Sequence, residues 1–189
     1  MEVAVKAMKE KHLVTLIALS LIAVGVMMRL LPHPANFAPI AAIAIFGGAV
    51  LPKKAAVWVP LGAMMVSDAF IGFYSLMPLI WACYLIIALA SSHWLRPATL
   101  AKGVLVTVSS SVFFYAVTNF GVWLTSGMYA HNWAGIVSCY TLALPFFRNT
   151  FLSDAFYTAL LFGVYALATR KLRTPIKAKP VLNFRRVQL

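Results

Sequence analysis

Residues 13–31 read LVTLIALSLIAVGVMMRLL, and Arg29 is the one charge in the run. At about 1.5 Å per residue, such a run covers the roughly 30 Å hydrocarbon core of a bilayer as a helix. Four more runs of this kind lie at 55–73, 76–95, 103–124 and 150–169. Leu, Ala, Val and Met fill every side of them, and the period-two alternation of a membrane strand is missing, so helices rather than a β-barrel follow. With 62% hydrophobic and 11% charged residues, too little polar surface remains for a soluble domain. The chain is predicted to be an all-α integral membrane protein.

The net charge of +12 points away from nucleic acid once the positions of the charges are read. Lys6, Lys9 and Lys11 precede the first span, Lys53 and Lys54 the next long one, and Arg96 and Lys102 sit between the runs at 76–95 and 103–124. Arg170, Lys171, Arg173, Lys177, Lys179, Arg185 and Arg186 follow the last. The positive-inside rule puts all four groups in the cytoplasm, which requires an even number of crossings. The stretch 38–51 is therefore read as a short span that returns Lys53 and Lys54 to the inside. The stretch 133–147, which contains Pro145 and runs into Arg148-Asn149, is read as a short outer re-entrant or interfacial segment. The expectation is a six-transmembrane-helix bundle with a cytoplasmic N-terminus (1–12), one membrane domain (13–170) and a basic cytoplasmic tail (171–189). The lysines before the first run resemble a signal peptide, but no small-residue cleavage site follows Met28-Arg29, so the run is kept as the first helix.

Only two acidic residues fall inside the apolar body, Asp68 and Asp154, and both stand in the string Ser-Asp-Ala-Phe. A carboxylate within a membrane span is costly and marks a functional site by default. On the topology above, Arg29, Asp68, Asn119, Trp123 and Asp154, the loop with His33 and Asn36, and the pair Arg148-Asn149 share the outer third. One reading is an outward-opening polar pocket. The other is an ion pair in which Arg29 or Arg148 neutralises a carboxylate and locks helices together. Ser111, Tyr115, Asn119 and Trp123 follow at four-residue spacing on one face of their helix and favour the pocket. Trp81 and Tyr84 are candidate aromatic walls. The expected solute-binding set is Asn36, Asp68, Tyr115, Asn119, Trp123, Arg148, Asn149 and Asp154.

Ala38 and Ala42, and Ala44 and Gly48, are small residues four apart, a spacing that lets another helix approach closely. They are the expected partner-contact face, toward a helix of this chain or of another subunit. Asn-Phe at 36–37 and 119–120, and Ser-Asp-Ala-Phe at 67–70 and 153–156, recur in the same order, either as a relic of duplication or by coincidence.

No P-loop, His-Glu-x-x-His, Gly-x-Ser-x-Gly or Cys/His cluster occurs, so an enzyme is not expected and neither is a cofactor or metal. His12, His33, His93 and His131 stand at span ends, and Cys83 and Cys139 read as small buried hydrophobes.

The run Asn36-Phe37-Ala38-Pro39-Ile40-Ala41-Ala42-Ile43-Ala44-Ile45-Phe46-Gly47-Gly48-Ala49, with Ser67-Asp68 and Gly72, resembles the N-terminal half of the substrate-binding S components of energy-coupling factor (ECF) vitamin transporters. Thr118-Asn119-Phe120-Gly121-Val122-Trp123 and Pro145-Phe146-Phe147-Arg148-Asn149-Thr150 resemble, more narrowly, a family of small bacterial membrane proteins of unassigned function that is grouped with S components. The resemblance covers most of 13–170. It implies six helices with both termini cytoplasmic, residence in the bacterial inner membrane, and a vitamin-like or other small polar solute held near the outer face. Its implied partners are a transmembrane coupling subunit and ATPase subunits. S components commonly carry Ala-x-x-x-Ala on their first helix; residues 13–31 have none, and Ala38 and Ala42 lie on the second helix instead. The alternatives from other classes are a self-contained proton-coupled transporter or channel, and a non-transporting scaffold subunit whose polar residues are helix glue.

Overall fold

The computed structural model describes the backbone of residues 2–172 and the side chains of 12–168. Six helices follow one another: α1 (Glu2–Leu30), α2 (Ile40–Val50), α3 (Lys53–Ile71), α4 (Met77–Trp94), α5 (Leu100–Thr125) and α6 (Trp133–Leu172). Five of them are long and apolar enough to cross a membrane, and α2 is the exception. Their outward surface is apolar around the perimeter, with Trp58, Phe73, Leu100, Leu105 and Leu167 all exposed. A bilayer accommodates such a surface and water does not. The all-helical reading agrees with this, and the runs at 55–73, 76–95 and 103–124 match their helices within a few residues. The side chains of Lys6, Lys9 and Lys11, and the basic tail beyond Leu172, lie outside the described residues.

Punctuation residues set the helix ends. Pro52 precedes α3, Gly72 at φ 106° terminates it, and a proline lies in the first turn of α4. The Thr99 side chain accepts from Lys102 N at 3.3 Å at the start of α5. Asn132 Oδ1 accepts from Gly135 N at 2.9 Å at the start of α6. Each supplies a turn geometry or a cap where backbone donors would otherwise be orphaned.

One expectation is corrected here. The stretch 133–147 is not a separate re-entrant or interfacial segment, because it is the first part of the 40-residue helix α6, which continues through Pro145. Proline removes one backbone bond, and packing against a neighbour compensates. Tyr115 Oη donates to Tyr140 O and Tyr140 Oη to Ala116 O, both at 2.6 Å, and Cys139 Sγ approaches Asn119 O at 3.4 Å, so α5 holds this upper half of α6 in place.

The stretch 38–51, read as a short span, contains α2. Its 11 residues rise about 16 Å, too little to cross a bilayer core alone. It still reverses the chain: Ile40 packs with Ala63 and Met64, whereas Leu51 packs with Ala56 and Val59, so α2 runs antiparallel to α3. Every residue from Ile40 to Gly48 is buried, and α2 touches each of the other five helices. A helix apolar on all sides belongs inside a bundle, and α2 is its axis. The predicted partner-contact face is thus spent within this chain: Ala42 and Ala44 are fully buried, Gly48 packs on α4, and Ala38 lies half-buried where the loop enters α2.

Arg96 secures the far end of α2. Its Nε and Nη2 donate to Gly48 O at 3.0 and 2.8 Å, and Nη2 also reaches Leu51 O. The last carbonyls of α2 gain a cation, which also suits the negative end of the helix dipole. Arg96→Met is expected to cost about 1.5–3 kcal/mol, the range for hydrogen bonds to a charged group, read as a lower unfolding temperature in detergent. The α2–α3 and α4–α5 corners therefore meet at the end of the bundle that carries Lys53, Lys54, Arg96 and Lys102.

Candidate functional site

The two Ser-Asp-Ala-Phe strings meet different fates. Asp68 lies three residues before the end of α3 and is fully buried. Its Oδ1 meets Arg29 Nη2 at 2.7 Å as an ion pair without hydrogen-bond alignment. Its Oδ2 accepts from Trp81 Nε1 at 2.7 Å and from Tyr74 Oη at 3.5 Å. Arg29 Nη1 donates in turn to Ser67 Oγ at 2.6 Å and to Met64 Sδ at 2.9 Å. This charge is fully engaged in clamping α1, α3 and α4 together. In the loop after α3, burial first and then the Asp68 carboxylate raise the Tyr74 phenol above its ordinary pKa, with Arg29 acting in the opposite sense. Tyr74 is therefore a neutral donor to Asp68.

Asp154 has no such neutralisation. It is 2% exposed, its Oδ2 accepts from Ser111 Oγ at 2.7 Å, and no cationic group pairs with it among the described residues. Because 133–147 is joined to α6, Asp154 falls near the middle of that helix rather than one turn from its start. Ser111 likewise stands near the middle of α5. Tyr84 lies within electrostatic reach of both Asp154 and Arg29, and its ring stacks on Phe114 with centroids 5.2 Å apart.

The remaining expected residues fall into two other groups. Tyr115, Asn119 and Trp123 face α6 and the loop that precedes it. Asn119 Nδ2 bonds back to Tyr115 O at 2.8 Å, and Trp123 Nε1 donates to Ala130 O at 3.0 Å. Their shared face is real, but it makes helix contacts. Asn36, at φ 61°, forms an exposed turn in the loop between α1 and α2. Asn149 Nδ2 holds that loop at Ala35 O (3.0 Å), Ser153 Oγ holds it at Ala38 O (3.1 Å), and Phe37 packs on Tyr157. Arg148 is exposed and meets neither carboxylate. Of the eight predicted residues, Asp154 alone is a deeply buried carboxyl without a cationic partner among the described residues.

Sequence reasoning passed over Thr107 and Thr158. Both line a cavity of about 720 Å³ between α5 and α6, closed behind by Ala49, Val50 and Leu95. Thr107 is one helical turn from Ser111 and Thr158 one turn from Asp154, but neither Ser111 nor Asp154 lines the cavity itself. The four-residue spacing was the available signal. No group of three or more His, Cys, Asp or Glu side chains gathers to hold a metal among the described residues. Both cysteines are free and buried, as expected.

No curated protein and no solved structure matches the chain. A family match covers residues 9–179, which takes in most of α1 and all of α2 to α6, and by that match the protein belongs to a family of unknown function (DUF6580).

Proposed function

We propose that this protein is a membrane-embedded solute-binding subunit, S-component-like, that serves uptake driven by partner ATPases through a coupling membrane subunit. The observation that carries the reading is Asp154: a carboxyl buried in an apolar bundle, given one hydroxyl donor and, among the described residues, no countercharge. A protein that needed only helix glue would neutralise it, as Arg29 neutralises Asp68. A solute bearing a cationic or hydrogen-bond-donating group completes the site. The motifs at 36–49, 67–72, 118–123 and 145–150, and the grouping of basic residues at one end of the bundle, support the S-component assignment. In this reading α2, shielded by its neighbours, carries the chain back across the membrane, and both termini are cytoplasmic.

Mass spectrometry of the tagged protein, purified from its native host in mild detergent, tests the partners. Recovery of a second membrane subunit with ATPases is the expected result; recovery of this chain alone from an intact membrane extract overturns the assignment. Asp154→Asn keeps the shape and the bond with Ser111 while removing the charge. It is expected to lower solute binding at least tenfold, in keeping with about 1.4 kcal/mol or more for a charge-assisted contact, with little change in unfolding temperature. Unchanged binding and uptake in this variant would sink the site.

The same observation supports a second reading. A buried carboxylate with a hydroxyl neighbour can carry a proton, which makes the chain a self-contained proton-coupled transporter. That reading predicts solute flux in liposomes that contain this chain alone, abolished by Asp154→Asn.

A further inference from the structure

Lys53, Lys54, Arg96 and Lys102 share one end of the bundle, and the described residues place no carboxylate beside them. Asp68 is taken up by Arg29, and Asp154 stands in mid-helix against Ser111. Glu2 and Glu10 are on α1, which touches α2 and α3 but neither α4 nor α5. The countercharge for the α4–α5 corner therefore has to come from outside this part of the chain.

That corner holds a cavity of about 330 Å³, lined by His93, Trp94, Arg96, Lys102, Leu105 and Val106. Arg96 spends Nε and Nη2 on the last carbonyls of α2, while its Nη1 makes no hydrogen bond among the described residues. The Lys102 ammonium folds back to Pro97 O at 3.4 Å, over the turn that begins with Arg96. A planar guanidinium edge and a mobile ammonium together suit the oxygens of a phosphate. The lining is also ordered along the span. Arg96, Lys102 and the exposed Trp94 ring stand at the helix ends, and the exposed Leu105 lies about one turn further along α5. Cation and indole at the end of a span, with leucine beyond them, match a bilayer read from its headgroups to its acyl chains.

From this juxtaposition we infer that the α4–α5 corner binds an anionic phospholipid, with its phosphate at Arg96 and Lys102, its headgroup against His93 and Trp94, and an acyl chain along Leu105. A zwitterionic lipid brings its own cation to the same place and is disfavoured. Because the same Arg96 side chain holds the end of α2, a phosphate at Nη1 also braces that anchor, and the lipid stabilises the fold. The site is separate from Asp154 and does not depend on the uptake reading.

The full chain in detergent is titrated with dioleoylphosphatidylglycerol or dioleoylphosphatidylcholine and followed by native mass spectrometry. Phosphatidylglycerol is expected to bind at least fivefold more tightly than phosphatidylcholine and to raise the unfolding temperature more. Lys102→Gln is expected to weaken phosphatidylglycerol binding about fivefold, the equivalent of about 1 kcal/mol for one cation near an anionic lipid surface. The Thr99 cap uses the Lys102 backbone N–H, so the helix start survives the substitution. Lys102→Arg is expected to restore binding. Lys54→Gln removes the same charge from the same end but outside the cavity, and is expected to leave binding unchanged; the basic stretch after residue 169 is present in every variant. Equal loss in Lys54→Gln and Lys102→Gln overturns the site, because the field of the whole end is then the cause. Equal binding of the two lipids overturns the ligand class. So does displacement of phosphatidylglycerol by millimolar inorganic phosphate, since a free anion is then the occupant.

Discussion

Arg29→Ala lowers the stability of the bundle by about 3–5 kcal/mol, the cost of leaving one member of a buried ion pair without its partner. Asp68 is shielded from solvent and the Arg29 side chain is 14% exposed, so little water can replace the lost guanidinium. Arg29 also bonds Ser67 and Met64, and its loss therefore loosens α1 from α3 at the level where Trp81 ties α4 to Asp68. Thermal unfolding in detergent reads the effect. Asp68→Asn is milder, because an amide still accepts from Trp81 and no unpaired anion remains. The double variant Arg29→Met with Asp68→Leu should recover much of the loss, since well-packed apolar residues replace buried ion pairs at little cost. If the double variant is no better than Arg29→Ala, the clamp is not the source of the stability. Solute binding should follow unfolding in these variants and not precede it, which separates Asp68 from Asp154.

Gly48→Leu is the second large effect. A Cβ at this position would stand 2.5 Å from Ser91 Cβ and 2.9 Å from both Ala88 O and Ser92 N. Two of those atoms are backbone of α4 and cannot swing aside. Alanine is expected to cost about 1–3 kcal/mol by overpacking. Leucine, with three more carbons, drives α2 off α4, and the protein should fail to elute as a monodisperse species. Gly163→Ala is the control, because a Cβ there meets nothing within 4 Å. Its helix propensity predicts a gain of up to about 1 kcal/mol. Equal tolerance of Gly48→Leu and Gly163→Ala would mean that α2 and α4 do not meet as closely as described.

Much of this architecture was legible in the sequence because a long apolar run between prolines, glycines and charges has one stable form in a bilayer. The runs ending near Leu31, Phe73, Leu95 and Leu124 became helices with nearly those ends. The length of α6 was not legible. Pro145 and Arg148-Asn149 look like a break, whereas the helix is held against α5 by the bonds from Tyr115 Oη to Tyr140 O and from Tyr140 Oη to Ala116 O, which no local pattern announces. The face Ser111, Tyr115, Asn119, Trp123 was legible as a face, but not its target. Helical spacing fixes which residues stand together; it does not say whether a cavity or another helix stands opposite. The same limit applies to the two aspartates, whose identical four-residue strings carry no trace of the Arg29 that pairs with one and not the other. Thr158 could have been found from its spacing to Asp154, but the lack of a partner for its buried hydroxyl among the described residues is a property of the packed helices alone.

The position of α2 also bears on how the protein is made. Two of the elements that cover this helix, α5 and α6, are synthesised well after it, and Phe46 gains its ring contacts with Phe162 and Tyr165 only then. A segment of this length cannot be held in the bilayer by its own hydrophobicity, so during translation it must wait, sheltered by α1 and α3, until α6 has been made. The core around α2 therefore closes only once α6 has been made, and a chain cut short after α5 would present α2 to the quality-control proteases as an unclosed core.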